Sequence, residues 1–381
     1  MSLASEFSRF LGSDPGRLHF AAHSHHPWPD ISHEAHERAW LDAASLMDDK
    51  WDHILGTVVP RTRRRIADVL GLDGGESIVF APNTHELLNR LFSCFDPPVR
   101  LLSTTSEFHS FARQSLRWEE EGLAIVDRVP SEPFDTFAER FTAEARSGAH
   151  DLIYLSHVFY DSGFVVPGIE RIVSSVSEEK AFVVIDGYHS FMALPVQLGA
   201  IQDRAFYIAG GYKYAMAGEG ACFMHCPPGY GRRPVNTGWY ASFGLLEDGV
   251  GREVPYGEDG SRFAGATFDP SGIYRMDAVL DWLETRGIGP NEIHEHVSGL
   301  QQQLLGALDP LPGTVVPPPG FERGNFLTFE SERAGDQYRA LHDQKVITDY
   351  RGKRLRIGFG VYHTSDDVER LAEVMSNLDR A

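Results

Sequence analysis

Residues 181–190 read AFVVIDGYHS, an unbroken apolar run that ends in an aspartate and a glycine. The run is short and does not alternate with polar residues, which suits a strand buried on both faces of a parallel sheet. Working outward, similar runs occur at residues 77–80, 99–102, 151–155, 205–209 and 221–225. Helical periodicity fits residues 61–72, 86–95, 110–121 and 169–176 between them. Strand and helix in alternation predict an open α/β sheet.

After Pro227, proline, glycine and charge dominate through Gly260, which reads as surface loops. Helices resume at residues 274–284, 291–308 and 336–344, with apolar runs at 325–329 and 355–359. In the closing HTSDDVERLAEVMSNL, Thr364 or Ser365 can cap a helix that places Val368, Leu371, Val374, Met375 and Leu378 on one face. The expected division is a large α/β domain over residues 46–258 and a smaller α+β domain from residues 1–45 and 259–381.

The bulk composition narrows the function. A length of 381 residues supports two units with a substantial core, and a net charge of −19 argues against nucleic acid or an anionic membrane as partner. The one basic cluster, Arg61, Arg63, Arg64 and Arg65, reads as the exposed face of a helix. Cys94, Cys222 and Cys226 form neither a disulfide framework nor a zinc motif, which points to a reducing cytoplasm and no metal. No run approaches a membrane span, and the N-terminus lacks the features of a signal peptide.

Lysine is scarce, with Lys50, Lys180, Lys213, Lys345 and Lys353 set against thirty arginines. Lys213 stands apart, in IAGGYKYAMAGEG (residues 208–220), after an apolar strand and inside a glycine-rich turn. Desolvation there lowers the pKa of an amine and makes it a nucleophile, although a lysine snorkelling from a strand end fits the same local pattern. Asp186 ends its own buried strand, at the edge where open α/β sheets bind ligands. A pyridinium nitrogen would answer that carboxylate, so the pair suggests a pyridoxal phosphate (PLP) Schiff-base site. In FAPNTHELLNRL, Asn83 and Thr84 open a helix whose free N–H groups either face a phosphate or are simply capped. Phe108 follows the next strand, where a ring could stack on a flat cofactor or join the core.

Together these residues resemble the class V aminotransferase superfamily, PLP fold type I, and within it the kynureninases. GGYKYAMAGEGA is similar to the segment around the cofactor lysine, and DGYH to the pair that grips the pyridine ring. LSHVFYDSG, TGWY, VITDYRG and LRIGFGVYHTSDDV resemble further family segments. The resemblance implies a mixed, mostly parallel seven-stranded sheet between helices and a homodimer with active sites at the subunit interface. It also implies that Lys213 carries PLP, Asp186 and His189 hold the ring, and Phe108 stacks on it. Phosphate contacts would come from Tyr212 and the Asn83–Thr84 turn, with Trp239 reaching in from a second subunit and Thr267 as a further cofactor contact. Arg356 would clamp the α-carboxylate of a small-molecule amino-acid substrate, unless it forms a surface ion pair instead.

Departures fall at substrate-facing places: the kynureninase N-S-L-G is HSHH here, and an expected acidic position is Phe111. A kynureninase-like hydrolase cleaving a Cβ–Cγ bond is therefore expected alongside an aminotransferase or another lyase. A desulfurase is disfavoured, since no cysteine follows Cys226 to carry a persulfide. In AAHSHHPWPDISHEAHERAW (residues 21–40), HEAH is one residue short of a zinc-protease motif, so a metal hydrolase is a weaker reading. A helix from Ser32 to Trp40 would leave His33 and His36 in solvent, and the family resemblance implies that the segment before it reaches the active-site mouth, with one of His23, His25 and His26 touching substrate.

Overall fold

The computed structural model describes residues 3–229, 231–242 and 254–378. The chain opens with α1 (Ser8–Gly12), β1 (Leu18–His19), α2 (Asp30–Leu46) and α3 (Lys50–His53), and a π-helical turn then leads into α4 (Val59–Leu70). Strand and helix alternate through β2 (Ile78–Ala81), α5 (Thr84–Phe92), β3 (Val99–Thr104), α6 (His109–Glu120), β4 (Ala124–Val129) and α7 (Phe134–Arg146). They continue with β5 (Leu152–Ser156), α8 (Ile169–Ser175), β6 (Phe182–Asp186), β7 (Ala205–Gly210) and β8 (Cys222–His225). The remainder holds α9 (Ser271–Thr285), α10 (Pro290–Ala307), β9 (Thr314–Val316), β10 (Phe326–Glu330) and α11 (Ala334–Asp343). It closes with β11 (Val346–Ile347), β12 (Asp349–Arg351), β13 (Arg354–Gly358) and α12 (Ser365–Leu378).

The large sheet has the order β2-β8-β7-β6-β5-β3-β4. Only β8 runs against the others, pairing antiparallel with both β2 and β7. Both faces are covered, as the continuous apolar runs require. On β6, Val183 and Ile185 enter one hydrophobic cluster while Phe182 and Val184 enter another on the opposite face. A third cluster joins α10, α12, β10 and β13 around Val297, Leu327, Ile357 and Leu371. Thr364 caps α12 through Oγ1, which accepts from Asp367 N at 3.2 Å.

Three expectations need correction. Strand β4 and helix α7 lie where no element was expected. AIVDRV in β4 is a sheet-edge strand with alternating exposure, and Phe134, Phe137 and Phe141 bury the inner face of α7. Helix α2 starts at Asp30 rather than Ser32, with the extended Pro29 as its N-cap, and continues six residues past Trp40 to Leu46. The arginines of α4 do not simply face water: Arg61 and Arg65 both bond the buried Asp277 of α9, and Arg65 also reaches Asp281 and Glu284.

Candidate active site

The C-terminal ends of the parallel strands converge on a cleft of about 510 Å³. Its wall carries Lys213 after β7, Asp186 at the end of β6 and His189 after it, Ser156 at the end of β5, Phe108 after β3, and Asn83 and Thr84 after β2. Arg356 of β13, Arg351 of β12 and His23 of the N-terminal segment also line it. The sheet topology thus collects residues that the sequence scatters over more than 300 positions.

Lys213 is 8% exposed, and its Nζ bonds Nε2 of His189. The amine also lies 5.4 Å from the Phe108 ring and 5.3 Å from the Tyr188 ring. Burial, reinforced by Arg356, lowers its pKa to about 7, against the partial opposition of Asp186. A substantial fraction of neutral amine is therefore present near pH 7. Burial also holds His189 well below the usual imidazole range, so a neutral ring accepts from the lysine.

Asp186 accepts Tyr154 Oη at 2.6 Å and Tyr188 N at 2.9 Å. Burial raises its pKa despite those bonds, and no Lys, Arg or His forms an ion pair with it among the described residues. Such a carboxylate calls for a cation, which a pyridinium nitrogen supplies. Asn83 Oδ1 caps α5 by accepting Glu86 N at 2.9 Å, so its side chain is engaged while the helix end faces the cleft. Orphaned atoms around the cleft, including His189 Nδ1, Arg356 Nε and both ring nitrogens of His23, leave hydrogen-bonding capacity for a bound molecule. Amine, carboxylate, ring face and anion-receptive helix end together fit PLP.

Arg356 is buried rather than on the surface. Its guanidinium bonds Asp349 Oδ2 and the carbonyl of Tyr160, and its neighbour Arg351 bonds the other oxygen of Asp349 at 2.5 Å. Of the three N-terminal histidines, the cleft takes in one. His23 is fully buried and stacks on Phe326 at 4.7 Å, with Nε2 3.9 Å from Asp349. His25 is exposed and stacks on Tyr212 at 5.3 Å, outside the cleft wall. His26 is buried away from it, its Nδ1 bonded to the Pro27 carbonyl at 2.7 Å. His33 and His36 are exposed on α2, where His36 Nδ1 meets Arg275 at 2.9 Å.

Tyr212 lines the cleft, whereas Trp239 and Thr267 do not; they bond each other, Nε1 to Oγ1, at 2.9 Å. Sequence reasoning gave no role to Glu107, Ser156, Tyr154, Tyr160 or Asp349. Asp349 and Arg351 lie in VITDYRG, and Glu107 immediately precedes Phe108, so proximity to recognised residues was the available signal. Among the described residues, no helix is long and apolar enough to cross a membrane, and no cluster of three His, Cys, Asp or Glu could hold a metal ion.

The family described as Aminotransferase class-V matches residues 53–371. A probable cysteine desulfurase of Vibrio cholerae is 24% identical over 81% of this chain and 80% of its own length. An isopenicillin N epimerase of Amycolatopsis lactamdurans is 25% identical over 84% of both chains. The likeness to a kynureninase, from Shouchella clausii, is 26% identity over 59% of this chain and 53% of the other, so the narrower resemblance reaches only part of the molecule. In three dimensions, a cysteine desulfurase from Thermococcus onnurineus NA1 superposes with a TM-score of 0.83 at 18% identity, covering 100% of this chain and 99% of that one. The fold is that of PLP fold type I.

Proposed function

The chain belongs to the class V aminotransferase family, a family of PLP-dependent enzymes, and from that premise we propose that it cleaves the side-chain Cβ–Cγ bond of an α-amino acid bearing a γ-carbonyl, in a kynureninase-like reaction. The observation that carries the reading is the placement of the desolvated Lys213 amine between His189 and the Phe108 ring, in one cleft with Asp186 and Arg356.

PLP, when bound, supplies an electron sink for negative charge at the substrate Cα. Lys213 would carry it, Asp186 would hold its ring nitrogen, His189 its ring hydroxyl and Phe108 its ring face. The Asn83–Thr84 turn and Tyr212 would hold the phosphate. Trp239 and Thr267, which do not line this cleft, would contact the second site of a homodimer. Arg356, held in place by Asp349, would take the substrate α-carboxylate. Lys213 Nζ, partly neutral near pH 7, would remove the Cα proton. His23, whose ring nitrogens make no hydrogen bond, would meet the side chain.

The cysteines argue against persulfide transfer. All three are buried, and burial pushes the Cys94 thiol to about 12 and the Cys222 thiol to about 11. Cys226 is raised further still by the same cause. None supplies the exposed thiolate that such chemistry needs.

Assays of the holoenzyme with kynurenine and 3-hydroxykynurenine, and with α-amino acids plus a keto-acid acceptor, test the proposal. Release of the side-chain fragment without an acceptor supports it, and amino-group transfer with an intact side chain overturns it. The near full-length likeness to an epimerase favours a second reading, reversal at Cα. Deuterium incorporation at Cα with inversion and no cleavage would mark that outcome.

A further inference from the structure

Beneath the cleft lies a second buried carboxyl group. Glu107 is 3% exposed, and none of the ion pairs among the described residues includes it. Its Oε1 receives Thr104 Oγ1 at 2.8 Å and Ser156 N at 3.2 Å, while its Oε2 has a single partner, the hydroxyl of Ser156. Ser156 in turn stands opposite Asp186 in the β5–β6 register and lines the cleft. Two carboxyl groups thus flank one serine at the end of two paired strands.

Two neighbouring buried carboxylates without a cation apiece do not both ionise. The hydrogen-bond inventory indicates where the proton sits. Oε1 already accepts twice, as a carbonyl oxygen would, so a proton on Oε2 points at Ser156 Oγ. The serine hydroxyl hydrogen is then free to turn toward the cleft. Resting on the cofactor assignment above, we infer that Glu107 is a positioning residue that works as a neutral acid, fixing Ser156 as a donor into the cleft and leaving Asp186 as the single anion beneath the cofactor. Burial and the nearby Asp186 charge raise the Glu107 pKa to about 8, which accords with a protonated group at pH 7.

Glutamine reproduces the donor and acceptor pattern of a protonated glutamate, which makes Glu107→Gln the decisive variant. In the holoenzyme, the pH midpoint of the cofactor–lysine absorption band should stay within about 0.3 unit of wild type in Glu107→Gln. Ser156→Ala, which removes the donor, should move that midpoint. Infrared spectra of the wild-type holoenzyme should show a protonated-carboxyl band that is perturbed in Ser156→Ala and absent in Glu107→Gln. A shift of about one unit or more in Glu107→Gln, or a wild-type spectrum without that band, overturns the inference. Should Glu107→Gln fail to fold, the wild-type band and its response in Ser156→Ala still decide. Loss of the cofactor band from the wild-type protein would instead count against the cofactor assignment itself.

Discussion

Gly358 leaves the room that His23 occupies, because a Cβ at that position would collide with His23 Nδ1. The relationship is repeated two residues on, where a Cβ at Gly360 would strike His26 Nε2. The glycines of LRIGFG and the histidines of AAHSHH therefore form one packed unit, with Arg356 on the same strand as Gly358. Gly358→Ala should displace His23 and cost about 1–3 kcal/mol of stability through overpacking. In the folded variant, KM for the substrate should rise about tenfold while the cofactor spectrum stays unchanged. A variant with unaltered KM would remove His23 from substrate recognition.

The guanidinium of Arg356, proposed above to take the substrate carboxylate, is a planar fork that Asp349 and the Tyr160 carbonyl already orient. Arg356→Lys keeps the charge and loses the fork, so kcat/KM should fall by about 10²-fold or more, with normal PLP uptake. Steady-state kinetics beside a cofactor titration separate the two effects.

Burial lowers the Lys213 pKa from 10.5 to about 7, which couples stability of the cofactor-free protein to pH. Between those values the unfolded chain binds a proton that the folded chain lacks, so stability rises with pH across the window. The full penalty applies below about pH 7. Lys213→Met should therefore be more stable than wild type near pH 7, by on the order of 3 kcal/mol, with the gap closing toward pH 10. Urea unfolding of both proteins at several pH values measures it, and a constant gap would contradict the buried-amine account.

Asp277 is the hub that joins α4 to α9, bonding Arg61 and Arg65 from a buried position. Asp277→Ala should destabilise the protein by about 2–4 kcal/mol, somewhat below the cost for a fully buried pair because Arg61 is half exposed. Denaturant melts check the loss, and PLP affinity should not change, since this network lies outside the cleft wall.

The parallel strands were legible because each carries side chains into cores on both faces, which leaves a short continuous apolar run, and because helical periodicity separates the runs. Edge strand β4 was not, because one face meets water and AIVDRV looks like ordinary surface chain. Lys213 and Asp186 stood out because a lone lysine and a strand-end aspartate conflict with their apolar surroundings. Glu107 conflicts equally with its surroundings, but its burial follows from β3 and β5 lying side by side, a tertiary fact with no local sign. The histidine cluster divided along similar lines: helical periodicity placed His33 and His36 in solvent, whereas only three-dimensional packing separates His23 at the cleft from His26 behind it.

The assignment of Lys213 as the amine that carries PLP admits one direct measurement. The holoprotein is reduced with borohydride, digested, and its modified peptide sequenced by mass spectrometry. The cofactor mass should be found on the peptide containing Lys213, with loss of the visible absorption band, and Lys213→Ala should give no adduct. A protein that takes up no PLP, or an adduct on any of the other four lysines, would contradict the account.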